Sequence, residues 1–207
     1  MDGRYVWIVL FLLGCYHGIN PGMGWLFAVA LGLQDRSRAS VVFALIPIAL
    51  GHVASVAIVV SLAVFAAAIF PHAIVHQTAA AILIAFGVYR LVRVRHPRWV
   101  GMRVGFWGLA LWGFLMSSAH GAGLMLLPFV TAAPVSNAMS MPMPHGSAAT
   151  GFLMIAVHTL GYFLTMLVVA LIVYEKLGVR FLRQAWFNVD LIWAIALFAA
   201  GIVALFT

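Results

Sequence analysis

Gly14-Cys15-Tyr16-His17-Gly18-Ile19-Asn20-Pro21-Gly22-Met23-Gly24 interrupts a run of apolar residues that otherwise extends from about residue 5 to 34. Proline withholds a backbone donor and glycine weakens a helix, so a helix that reaches this stretch is expected to break in it. Polar groups that stand between two apolar arms place the break at depth in a hydrophobic medium, where broken helices line binding sites. Outward from it, further apolar runs fall at about residues 39–70, 78–95, 104–133, 150–174 and 186–206. Each is close to the roughly 20 residues that cross a bilayer as helix.

Composition agrees. The chain of 207 residues is 66% apolar and 7% charged, with a mean hydropathy of +1.15. Such a chain cannot cover a soluble globule with polar surface. The predicted fold class is all-α: a polytopic membrane protein with six transmembrane helices, forming one transmembrane domain over residues 1–207. Helix one is broken at Asn20, Pro21 and Gly22, and helix four around His120-Gly121-Ala122-Gly123. The first 34 residues show no small-residue cleavage site and read as a retained helix.

The net charge of +7 is explained by topology. Arg36 and Arg38 follow helix one, Arg90, Arg93, Arg95, Arg98 and Arg103 follow helix three, and Lys176, Arg180 and Arg183 follow helix five. Arg4 alone lies on the other side. The bias puts the basic loops in the cytoplasm and both termini outside an inner (plasma) membrane. Contact with anionic lipid accounts for the remaining charge, and nucleic acid is not needed. The expected partners are the lipid bilayer and a metal ion substrate, with a homodimer left open.

Chemistry is narrowed by what is scarce. Asp2, Asp35, Glu175 and Asp190 are the four acids, too few for carboxylate cages around Mg²⁺, Ca²⁺ or Mn²⁺. Asp190 is a weak candidate for proton coupling, with a cytoplasmic arginine as its alternative partner. Cys15 is the one cysteine, which excludes an intrachain disulfide and a two-thiol relay. No phosphate-binding glycine loop, nucleophile elbow or H-E-x-x-H pattern occurs.

The two halves resemble each other. Gly14-Cys15-Tyr16-His17-Gly18 aligns with Ser117-Ser118-Ala119-His120-Gly121 at an offset of 103, and Ala49-Leu50-Gly51-His52 with Ile155-Ala156-Val157-His158 at an offset of 106. Three helices per half turn this into two inverted three-helix repeats, residues 1–98 and 99–207, the architecture of many alternating-access carriers.

Four of the eight histidines, His17, His52, His120 and His158, fall inside or at the break of an apolar helix. Ionisable groups at membrane depth normally face a cavity or a partner. His96 is assigned to the basic loop, and His72 and His76 to an outer loop. Each buried imidazole alone reads equally as hydrogen-bond glue between helices; four at repeat-related places point to one midplane metal site. Cys15, Met23 and Met125, with Met116 and Met154 nearby, would add soft donors. Imidazole, thioether and thiolate together favour Cu(I), with Zn²⁺, Ni²⁺ and Co²⁺ as other options. Met139, Met141, Met143 and His145 form an alternating cluster in the outer loop, suited to capturing Cu(I) or to plugging the cavity mouth. The seven tryptophans mostly suit interfacial belts.

The Asn20-Pro21-Gly22 segment, its His120-Gly121 counterpart and the six-helix inverted pattern resemble the lysine exporter (LysE) superfamily. The resemblance implies a small six-helix transporter, closest in character to the metal-handling NicO-type nickel/cobalt and DsbD-like branches. Neither His17 nor His52 has an aspartate beside it, as the nickel/cobalt branch would, and Cys15 lacks the partner that thiol electron transfer needs. The expected function is transport of a transition-metal ion, Cu(I) first. The alternatives are a membrane-embedded metalloenzyme with histidine-held metal and export of a small organic solute.

Overall fold

The computed structural model describes residues 3–92, 104–130 and 148–177, together with the single helical positions 195, 198 and 202. Every regular element among the described residues is helical. In order these are α1 (Gly3–Ile19), a tight turn of helix (Pro21–Met23), α2 (Trp25–Asp35), α3 (Arg38–Ile69) and α4 (His72–Val92). They are followed by α5 (Phe106–Ala119), a second tight turn (Leu124–Leu126), α6 (Leu127–Val130) and α7 (Ala148–Ile172), which runs on into a wider turn at Val173–Leu177.

The break in helix one is built by its own residues. Asn20 is extended and its side-chain oxygen accepts from the Gly22 N–H at 2.9 Å, while Pro21 takes the first helical place, where no donor is needed. Gly24 caps the turn at φ 113°, a left-handed value that favours a residue without Cβ. Helix four breaks as expected. His120 closes α5, Gly121 turns at φ 69°, and the two arms bend by 49°.

One expectation is corrected. His72 and His76 are not in a loop but in α4, because Pro71 ends the preceding segment and its carbonyl accepts from the Ile74 and Val75 N–H groups. The polar first turns of α4 hid its start from hydropathy. The sixth apolar run lies largely outside the described residues, as do the boundary between the repeats and the 131–147 stretch with Met139, Met141, Met143 and His145.

Packing pairs α1 with α7 and α3 with α5, and α3 also meets α7 and α2. Both main pairs are close. A Cβ at Gly14 would run into the His158 carbonyl, and one at Gly51 into the Ala110 carbonyl, so small residues let the backbones approach. Outward, Phe43, Trp107 and Phe152 are 67%, 81% and 71% exposed, an apolar exterior that water would oppose. Among the described residues two helices, Arg38–Ile69 and Ala149–Lys176, are long and apolar enough to cross a membrane, and the bent pair Phe106–Ala119 and Leu124–Val130 makes a third if it is one span.

Candidate metal centre

The four histidines of the apolar runs come from four different elements and all are fully buried. His17 sits in the last turn of α1, just before the break; His52 is in the middle of α3; His158 is in α7; and His120 is the residue that ends α5. Three of them form a compact group. Ring centres of His17 and His52 are 5.2 Å apart, those of His52 and His158 5.5 Å, and those of His17 and His158 5.9 Å. His120 lies near enough to His17 for the two to interact electrostatically, and its ring carbon is 3.6 Å from where a Gly22 Cβ would be in the helix-one break.

Two of the rings have their orientation fixed by a neighbour. His52 shares a 2.8 Å hydrogen bond between its Nδ1 and the Ser117 hydroxyl of α5. His120 donates from Nδ1 to the Met116 carbonyl at 2.8 Å, which leaves Nε2 as the ring's lone-pair nitrogen. A second α3–α5 bond runs from the Ser55 hydroxyl to Ser118, whose own proton goes to the Phe114 carbonyl, each at 2.8 Å.

The carbonyls that the break releases do not fall to the trio. Trp25 donates to Ile19 at 3.0 Å, Trp112 to Gly22 at 3.2 Å and Tyr162 to Met23 at 3.2 Å. Trp25 and Trp112 are buried, so the interfacial belt expected of the tryptophans does not include them; an indole N–H that reaches a freed carbonyl repays burial. By contrast, the Nε2 of His52 and the side-chain nitrogen of Asn20 are buried without a hydrogen-bond partner. Both ring nitrogens of His158 are too, the main chain at Leu10 lying beside the ring outside hydrogen-bond geometry. Buried polar atoms left unmatched are costly, and a ligand that pairs with them removes the cost.

The soft donors expected beside the histidines fall into two groups, one thiol and several buried thioethers. Cys15, two residues before His17, is half-buried and lies about 200° round the helix from it. Met23 and Met116 pack with Trp25, Trp112 and Tyr162, and Met125 and Met154 with Leu10 and Val56. Among the described acids, Asp35 is exposed and Glu175 is paired with Arg38 at 3.2 Å, roughly 25 Å along the helix from His158. The trio itself is made of three imidazoles. Among the described residues no three histidine, cysteine, aspartate or glutamate side chains already converge as a metal-holding group, so the rings are assembled side by side without a preformed coordination centre.

The sequence reading missed Tyr162, fully buried one turn after His158. Its ring stacks on His52 with centres 3.8 Å apart and planes 12° apart, and lies 5.8 Å from His17. The i, i+4 spacing from His158 was the available signal. No protein-family model, curated protein or solved structure matches this chain.

Proposed function

We propose that the chain is a membrane transporter of a transition-metal ion, Cu(I) first, and that His17, His52 and His158 bind the ion in transit. The buried trio carries this reading. With metal–nitrogen bonds of about 2.0–2.1 Å and about 1.1 Å from nitrogen to ring centre, imidazoles around one ion stand roughly 5–6 Å apart, centre to centre. The observed separations of 5.2, 5.5 and 5.9 Å fall in that range, so rotation of the rings in place would bring their nitrogens to one point. Trigonal imidazole coordination suits Cu(I) and also leaves Zn²⁺, Ni²⁺ and Co²⁺ as competitors to be tested.

An inverted repeat is supported by pairs of contacts that exchange under the two sequence offsets. His52 against Ser117 corresponds to His158 against Gly14, and Ser55 against Ser118 to Gly161 against Cys15. The two main helix pairs, α3 with α5 and α1 with α7, exchange in the same way. Pseudo-symmetric pairs built around a shared site are what a carrier needs to open alternately to either side. A six-helix transporter of LysE type, lying in the inner membrane with both termini outside, fits this arrangement.

The test is elemental analysis of protein purified without a polyhistidine tag, followed by uptake into sealed vesicles. Bound copper near one per chain, with affinity at least about tenfold lower in His17→Ala and His52→Ala, is the expected result. Copper content unaffected by both substitutions would remove the proposal. Turnover of a substrate in detergent, without vesicles, would favour the metalloenzyme alternative.

A further inference from the structure

Tyr162 touches both the trio and the helix-one break. Its ring face covers His52, and its hydroxyl donates to the Met23 carbonyl in the helix-one break. Trp112 holds the adjacent Gly22 carbonyl from α5, so the break is clasped from both α5 and α7. Of these two clasps, the one through Tyr162 also leans on the trio. A tyrosine kept only to fill space could satisfy either contact alone; both at once make it a rigid link, because the phenol ring cannot shift on His52 without moving its own oxygen.

We infer that Tyr162 is a positioning residue that couples occupancy of the histidine site to the state of the helix-one break. The inference rests on the metal-transport reading. An ion shared by His17, His52 and His158 has to turn the His52 ring so that its free nitrogen faces the common centre, against the stacked ring of Tyr162. The ring follows, its hydroxyl leaves Met23, and the turn at Pro21–Met23 loses one of its two cross-helix anchors. By linkage, a break that opens for other reasons changes the affinity of the trio in the reciprocal sense. Ser117 fixes His52 from the α5 side, so the motion is a rotation about that bond.

The variant Tyr162→Phe keeps the stacked ring and removes the tether. Copper bound per chain, vesicle uptake of Cu(I) under reducing conditions, and amide exchange at Met23 and Gly24 are measured in parent and variant. Those two amides report the break because they donate to Asn20 and Pro21 within it. In the parent, Cu(I) alters their exchange. In Y162F, bound copper stays within about threefold of the parent, uptake falls roughly tenfold or more, and exchange no longer responds to Cu(I). A merely structural role would raise exchange with and without the ion alike. Uptake and Cu(I)-dependent exchange at parental levels in Y162F overturn the inference, as does loss of its bound copper or a copper-loaded parent whose break does not respond. A parent that binds no copper removes the metal reading and this inference together, which separates the two failures.

Discussion

At the scale of single residues, the proposed site divides into rings that would bind the ion and groups that hold rings. Ser117 belongs to the second kind, since its hydroxyl fixes one nitrogen of His52 and thereby aims the other. Replacing an orienting partner of a metal-binding histidine typically costs 10–100-fold in affinity, so Ser117→Ala should weaken copper binding by roughly that factor while leaving the helices folded. Competition titration against a chelator of known affinity reads it, and an unchanged constant would show that His52 needs no guide. Cys15 is the opposite case. Its place on the far side of α1 from His17 predicts that Cys15→Ser binds copper within about twofold of the parent. A large loss in that titration would return the thiol to the donor set. Tyr162 shows how little of this level a sequence carries. Histidine announces itself in an apolar run, whereas Tyr162 meets Met23 across 139 positions of chain, and no local pattern marks that meeting.

Among the elements, the breaks were legible and the packing was not. Pro21 with Gly22, and His120 with Gly121, act on their own turn of helix, so their effect follows from residues side by side in the chain. The start of α4 was hidden because His72, His76, Gln77 and Thr78 give its first turns a polar look, although Pro71 sets them up as helix. Trp25 and Trp112 look like interfacial residues until the carbonyls they reach are known. Close approach is equally a property of pairs. Gly14 meets the His158 main chain, so Gly14→Ala pushes α1 from α7 and should destabilise the protein by about 1–3 kcal/mol, seen as a lower thermal midpoint in detergent. Because that contact also seats His158, copper affinity should fall with it. A variant of parental stability would mean that the two helices have slack the structure does not show.

For the whole molecule, the decisive property is which ends of which helices share a side. Arg38 opens α3 and Glu175 lies in the turn that closes α7, and their 3.2 Å contact sets those two ends together. Both partners are substantially exposed, 72% and 36% by side chain, so the pair contributes little to stability and matters as a marker of geometry. The same region carries Arg36 and Lys176, while the helix-one break and the trio lie deeper along the helices. Positive residues gathered at one face select the cytoplasm. The proposed inverted arrangement would put the two chain ends across the membrane from that face, since six crossings would return the chain to the side on which it began. Alkaline phosphatase, active only outside the cytoplasm, should therefore be active when joined after Thr207 and inactive when joined after Ser37. The reverse pattern would flip the orientation, and activity at both junctions would break the six-crossing topology. The site would then have to be explained by a bundle whose halves are not opposed, in which rocking of one repeat against the other could no longer expose the three imidazoles to each side in turn.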